Sequence, residues 1–166
     1  MIKRLIFSLC IFAFGGHLAA QLNDDLSKMG SSLFETIRVN NYAQIENQLP
    51  TIDDMDEFLE QVINYYPPEK QREMIAKRNE DHKSELKSIY DSFESVHQKG
   101  ISSGINWTKA KFTNVIAVYC GENPIPKDKV TCLLISFTYL GVKYSIETAA
   151  VKVNRGYVLC QGFKLY

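Results

Sequence analysis

The sequence predicts an α+β domain, helices first and sheet second, and three observations carry that expectation. From residue 22 to residue 96, apolar residues recur at steps of three and four, the spacing of one helix face. From residue 107 onward they alternate at steps of two, the spacing of a strand with one buried side. Leu140-Gly141 and Asn154-Arg155-Gly156 separate the last runs by links so short that only antiparallel neighbours can be joined. The expected architecture is a set of N-terminal helices, one of them long, packed on a curved four-stranded antiparallel meander.

Residues 1–20, "MIKRLIFSLCIFAFGGHLAA", come before any of this and read as a secretory signal peptide. Lys3 and Arg4 form the positive end, Leu5 to Phe14 an apolar run of ten, and Gly15 to Ala20 the small-residue exit, with cleavage expected after Ala20. The run is about half the ~20 residues needed to span a bilayer, which favours a cleaved signal over a membrane anchor. No later segment is apolar enough to cross a membrane either. The expected product is residues 21–166, one domain that works as a secreted or periplasmic protein.

Its helical part is expected over 21–100. Leu22, Leu26, Met29, Leu33 and Ile37 form the first stripe, and Tyr42, Ile45 and Leu49 extend it up to Pro50. "TIDDMDEFLEQVINYY" follows, with Thr51 as N-cap, acidic residues in the first turn, and Met55, Phe58, Leu59, Val62, Ile63 and Tyr66 as its stripe. Pro67-Pro68 ends that helix and opens the next, because proline is tolerated in a first helical turn. A long charged helix then runs from Glu69 to Lys99, with Gly100 expected as its cap. Its apolar positions are Ile75, Leu86, Ile89, Phe93 and Val96, and the stripe continued backwards takes in His82 and Asn79.

The sheet part, 107–166, divides into runs at 107–120, 129–140, 142–153 and 157–165. Pairing across Leu140-Gly141 sets Tyr139 against Val142, Phe137 against Tyr144 and Ile135 against Ile146 on the buried face. Thr138 with Lys143 and Ser136 with Ser145 fall on the wet face, as does Glu147 opposite Leu134. Strict alternation sends Val151 and Val153 to that wet face as well. Pairing Val153 with Tyr157 and Val151 with Leu159 therefore calls for a bulge near Thr148-Ala149-Ala150 to return them to the core. Trp107 is expected at the junction of helix and sheet.

With Lys3 and Arg4 removed, 17 basic residues face 19 acidic ones, a balance that argues against a general nucleic-acid binder. The distribution is uneven: net −7 over residues 21–66, neutral over 67–106 and net +5 over 107–166. A basic sheet beside acidic helices is one mark of an anionic partner, but lysines that solubilise a sheet face and discourage edge pairing are the favoured account of the last segment. Cys120, Cys132 and Cys160 remain after processing, and Cys120 with Cys132 brackets the turn-rich "GENPIPKDKVT", where a bridge would staple a hairpin base. There is no zinc-type spacing, Gly-rich phosphate loop or Ser-His-Asp order, so no metal or cofactor is expected. Asn106-Trp107-Thr108 fits a glycosylation sequon, which has meaning only in a host that uses it.

Helices, a long helix and then a curved meander resemble the nuclear-transport-factor-2-like, or cystatin-like cone, fold. More narrowly, the chain resembles small secreted bacterial proteins of that shape. The likeness is carried by "SLFETIRVNNYAQIENQLP" at 32–50, "GINWTKAKF" at 104–112 and the "YLGVKYSI…VKVNRGYVL" hairpins. It implies a cone-shaped cavity between sheet and helices. Some members are isomerases or dehydratases and many bind without chemistry, so the fold alone assigns no activity.

The expected ligand-binding residues are His82, Asn79, Tyr139 and Tyr144. Histidine as a residue type titrates near neutral pH, and His82 lies on the stripe that turns to the sheet, with Asn79 and Arg78 beside it. The two tyrosines offer hydroxyls at a hairpin end. The first expectation is a non-catalytic binding module for a small molecule or protein. An isomerase- or dehydratase-type enzyme, which needs His82 within reach of Tyr139, Tyr144 or a carboxylate, is the alternative. A structural cell-surface protein is the third reading.

Overall fold

Leu26, Met29, Leu33 and Ile37 are all buried along one side of the first helix, α1 (Asp24–Val39). Asp24 and Asp25 in its first turn and Arg38 in its last match the helix dipole. These coordinates come from a computed structural model, which describes residues 24–166. The expected leader at 1–20 and its cleavage after Ala20 lie outside the described residues. A 3-10 turn at Tyr42–Gln48 buries Ile45 and leads to α2 (Ile52–Val62). Thr51 caps α2 with a reciprocal box: its side chain accepts from the Asp54 amide, and its own amide donates to the Asp54 carboxylate at 2.7 Å.

The long helix, α3 (Pro68–Ser102), has 35 residues and is about 50 Å long. Only its second half is core, where Ile89, Phe93, Val96, His97 and Gly100 are buried. Gly100 is not the expected cap, because the helix continues two residues past it to Ser102. The position takes glycine because the Trp107 ring lies against it: a Cβ there would sit 2.2 Å from the ring. The left-handed residue after the helix is Gly104, at φ 82°.

Four antiparallel strands follow in the order β1 (Lys111–Tyr119), β2 (Val130–Tyr139), β3 (Val142–Val153) and β4 (Gly156–Leu165). The fold is therefore α+β, as expected, with an open sheet. β1 starts four residues later than expected, because Trp107–Lys109 forms a 3-10 turn. The β2–β3 register follows the alternation throughout, including Tyr139 with Val142, Phe137 with Tyr144 and Ile135 with Ile146.

The β3–β4 register differs from the expectation by one residue. Val153 pairs with Gly156, Val151 with Val158, and Ala150 with Leu159. A slip of one residue exchanges faces in a strand. Val151, Val153 and Val158 thus stay together on the second face, where they are buried without a bulge in β3. The irregularities fall opposite Glu147–Ala150, and the extra residues lie in β4.

This second face is not wet at that end. Val130, Cys132, Ala149, Val151, Val153 and Val158 form a core of their own, capped by Phe58 of α2 and by Ile125. The sheet is two-sided because α2 covers the second face near the β3–β4 turn, while α1 and α3 cover the first. Glu147 is correspondingly buried at 6% exposure, paired with Leu134 on one side and Lys164 on the other. Cys120 and Cys132 are joined by a disulfide with Cα atoms 5.7 Å apart across a sequence separation of 12. Closing a loop of that length stabilises the fold by about 3 kcal/mol through chain entropy. Cys160 is free.

Ser92 and Arg155 are among the tethers that bind the helices to β4 and its turn. Ser92 Oγ donates to the Ile89 carbonyl and accepts from the Phe163 amide at 2.9 Å, which locks α3 alongside β4. Arg155 in the β3–β4 turn donates Nε to Asp54 Oδ1 at 2.9 Å and Nη2 to Oδ2 at 2.7 Å. Its remaining donors reach the Asn47 and Leu49 carbonyls at 2.5 and 2.7 Å. Among the described residues no helix is long and apolar enough to cross a membrane.

Candidate functional site

The space between α1, α3 and the first sheet face is filled. Phe34, Phe93 and Phe137 are fully buried, and Phe34 and Phe137 lie 5.4 Å apart. Open volume occurs at one end of the molecule, where α1 and α3 finish, β1 begins and β2 turns into β3.

The larger opening is a cleft of about 600 Å³. His97 and Trp107 line it from within, and Val39, Ile101 and Ile105 form its apolar walls. His97 follows Phe93 by four residues and so continues the buried stripe of α3. Its Nδ1 lies 2.7 Å from the Ile37 carbonyl at the end of α1. A carbonyl only accepts, so Nδ1 carries a proton, which in the neutral tautomer leaves Nε2 as the ring's acceptor. The Trp107 indole stacks on this imidazole at 5.5 Å and donates its N–H to the His97 carbonyl at 3.0 Å. Gly100 permits that approach.

Val39 and Ile101 are about half exposed, at 50% and 51%, although apolar. The rim is polar. Asn40, at φ 51°, ends α1 in the left-handed conformation that asparagine tolerates. Arg38 pairs with Glu35 at 2.6 Å, and Asn106 holds Thr108 through its side-chain oxygen at 2.7 Å. Apolar walls with a few fixed polar groups form the lining that small-molecule sites share.

A second, shallower opening of about 330 Å³ lies beside the first, lined by Lys109, Lys111, Thr138, Tyr139, Leu140 and Gly141. Tyr139 is half-buried at its edge. Tyr144 is also half-buried, and its ring is stacked on Phe137 at 5.4 Å.

His82 lies elsewhere. Its Nε2 donates to the Pro50 carbonyl at 2.8 Å, one residue from Leu49, whose carbonyl takes Arg155 of the β3–β4 turn. Tyr139 sits at the β2–β3 turn, and the 12 residues of β3 put about 40 Å between the two turns. The structure therefore does not bring His82 together with Tyr139 or Tyr144. Asn79 is exposed one turn before His82, and Arg78 pairs with Asp56 at 3.3 Å.

Two further titratable groups meet between α3 and β4. Burial pushes the Glu85 carboxyl up to about 7. Burial foremost, and then the Glu85 charge, raises the Cys160 thiol well above its ordinary value, and a protonated thiol is a poor nucleophile. Among the described residues no group of three His, Cys, Asp or Glu side chains is placed to hold a metal.

The sequence reading missed the histidine in the cleft, although the helical period reaches it as readily as it reaches His82. Stepping forward by four from Phe93 and Val96 reaches His97 and Gly100, whereas the backward continuation leads to His82 and Asn79. The contribution of Arg38 and Val39 had no such signal, because it depends on where α1 ends against α3. Comparison with known proteins finds no matching family model, curated relative or solved structure.

Proposed function

We propose that this protein is a non-catalytic binding module that works outside the cytoplasm and takes a small, largely apolar molecule in the cleft over His97 and Trp107. The observation that carries the reading is the lining of that cleft. Val39, Ile101 and Ile105 supply apolar wall, and the stacked His97–Trp107 pair supplies a flat floor with one acceptor nitrogen. A ligand with an apolar body and one donor suits it. The leader-like residues 1–20 and the Cys120–Cys132 disulfide both favour an oxidising compartment outside the cytoplasm. The order of helices and meander remains in keeping with the cone-shaped family that the sequence resembles.

Trp107 is the sole tryptophan, so its fluorescence reports on the cleft directly. Anilinonaphthalene sulfonate, an apolar fluorophore with an anionic group, is the probe. Saturable binding with energy transfer from Trp107, lost in Ile101→Glu, is the expected result. Binding that Ile101→Glu leaves unchanged, or no saturable binding, overturns the reading.

A further inference from the structure

The β2–β3 hairpin ends in a turn whose chemistry is not that of an ordinary turn. Leu140 and Gly141 are its two central residues, at φ 50° and 79°. Both lie in the left-handed region, so this is the two-residue turn for which Asn-Gly is the favoured pair. Leucine is poorly suited to that conformation, which crowds its Cβ against the backbone. Nor does the fold gain by burying it: Leu140 is 81% exposed, and Val142 beside it is 52% exposed. An apolar side chain thus occupies a strained position and projects into water.

The surroundings are basic. Thr138 pairs with Lys111 on one side and Lys143 on the other, so the two lysines flank the hairpin in one row of the sheet. Lys109 shares the adjoining opening with Leu140. All three lysines are exposed, and none is in an ion pair with a described residue. Segments 97–111 and 138–143 hold no aspartate or glutamate, and Glu35 near the end of α1, which finishes at the same end, is paired with Arg38.

From this geometry we infer that the Leu140 tip docks on an anionic lipid surface, with Leu140 and Val142 entering the headgroup region and Lys109, Lys111 and Lys143 facing the lipid phosphates. Interfacial binding takes buried apolar area plus attraction between basic side chains and anionic lipid, and the tip offers both. A protein partner fits less well, since a projecting turn presents far less than the ~800 Å² per partner of a stable interface.

The experiment uses the full chain, expressed with its own leader and purified as the host processes it. Co-sedimentation is measured with vesicles of equimolar phosphatidylcholine and phosphatidylglycerol, and with phosphatidylcholine alone. The expected result is preference for the anionic vesicles, weakening as salt screens the lysines. Lys111→Glu with Lys143→Glu should lower binding by at least about 25-fold, about fivefold for each lysine lost. Leu140→Asn is the decisive variant, because asparagine suits the turn: its melting temperature should hold or rise while vesicle binding falls. Equal binding by Leu140→Asn and wild type overturns the inference. So does equal binding to both vesicle types, or stronger retention on immobilised polyglutamate than on the anionic vesicles.

Discussion

Replacing Arg155 by alanine tests how the sheet is held to the helices. The guanidinium makes three bonds to Asp54 and one to each of two carbonyls, those of Asn47 and Leu49. The Asp54 side chain is 7% exposed, whereas that of Arg155 is 40% exposed, so the pair is neither fully buried nor a surface contact. Losing one partner of a buried pair costs about 3–5 kcal/mol, and exposed pairs contribute about 0–1 kcal/mol. The half-open geometry therefore points to about 2 kcal/mol at neutral pH. Titration supplies an independent check. Hydrogen bonding to Arg155 foremost, helped by Thr51, holds the Asp54 carboxyl at about 2 against an ordinary 3.8. A carboxyl lowered by folding contributes stability that is full above its ordinary value and is lost as pH falls through its folded value. The gap between wild type and Arg155→Ala should therefore narrow as pH falls from 3.8 to about 2. A remainder of about 1 kcal/mol should persist from the two carbonyl bonds. Urea unfolding followed by Trp107 fluorescence measures both arms. A gap of the same size at neutral and low pH would show that Asp54 is not the main partner of Arg155.

Glu85→Gln should stabilise the protein by about 2 kcal/mol above neutral pH and leave it unchanged in acid. Its carboxyl is raised to about 7 by burial, so the cost of ionising it grows as pH rises from the ordinary 4.5 to that value; a flat difference across this range in urea unfolding would refute the assignment. Gly100→Ala drives a methyl group into the Trp107 ring, 2.2 Å from the nearest atom. It should destabilise by about 1–3 kcal/mol despite alanine's better helix propensity, and should shift the Trp107 emission, so an unchanged spectrum and a raised melting temperature would show the contact to be soft.

Particular residues show how far the sequence could be read. Leu26, Met29, Leu33 and Ile37 are buried where a helical period places them, and Phe137, Tyr144, Ile135 and Ile146 pair as an alternating hairpin requires. These features are local: each depends on the repeat of one element or on one tight turn. The reading of β4 failed by a single residue, because Tyr157-Val158-Leu159 is apolar on both faces and no alternation selects a register. The site fared worse, since His82 and His97 both lie on α3 and only packing against the end of α1 distinguishes them.

The main helices and strands apart from some of their bounds, their order, the fold class and the β2–β3 register were thus determined by the sequence alone, because periodicity and turn chemistry act over a few residues. Tertiary structure decided that the sheet has two buried faces, which requires α2 to reach Val151, Val153 and Val158 from a distant part of the chain. It also decided that His97, rather than His82, lines an open cleft, and that the apolar hairpin tip projects beside lysines in no ion pair with a described residue. Such outcomes depend on where helix ends and loops meet in space, and no periodicity encodes that distance.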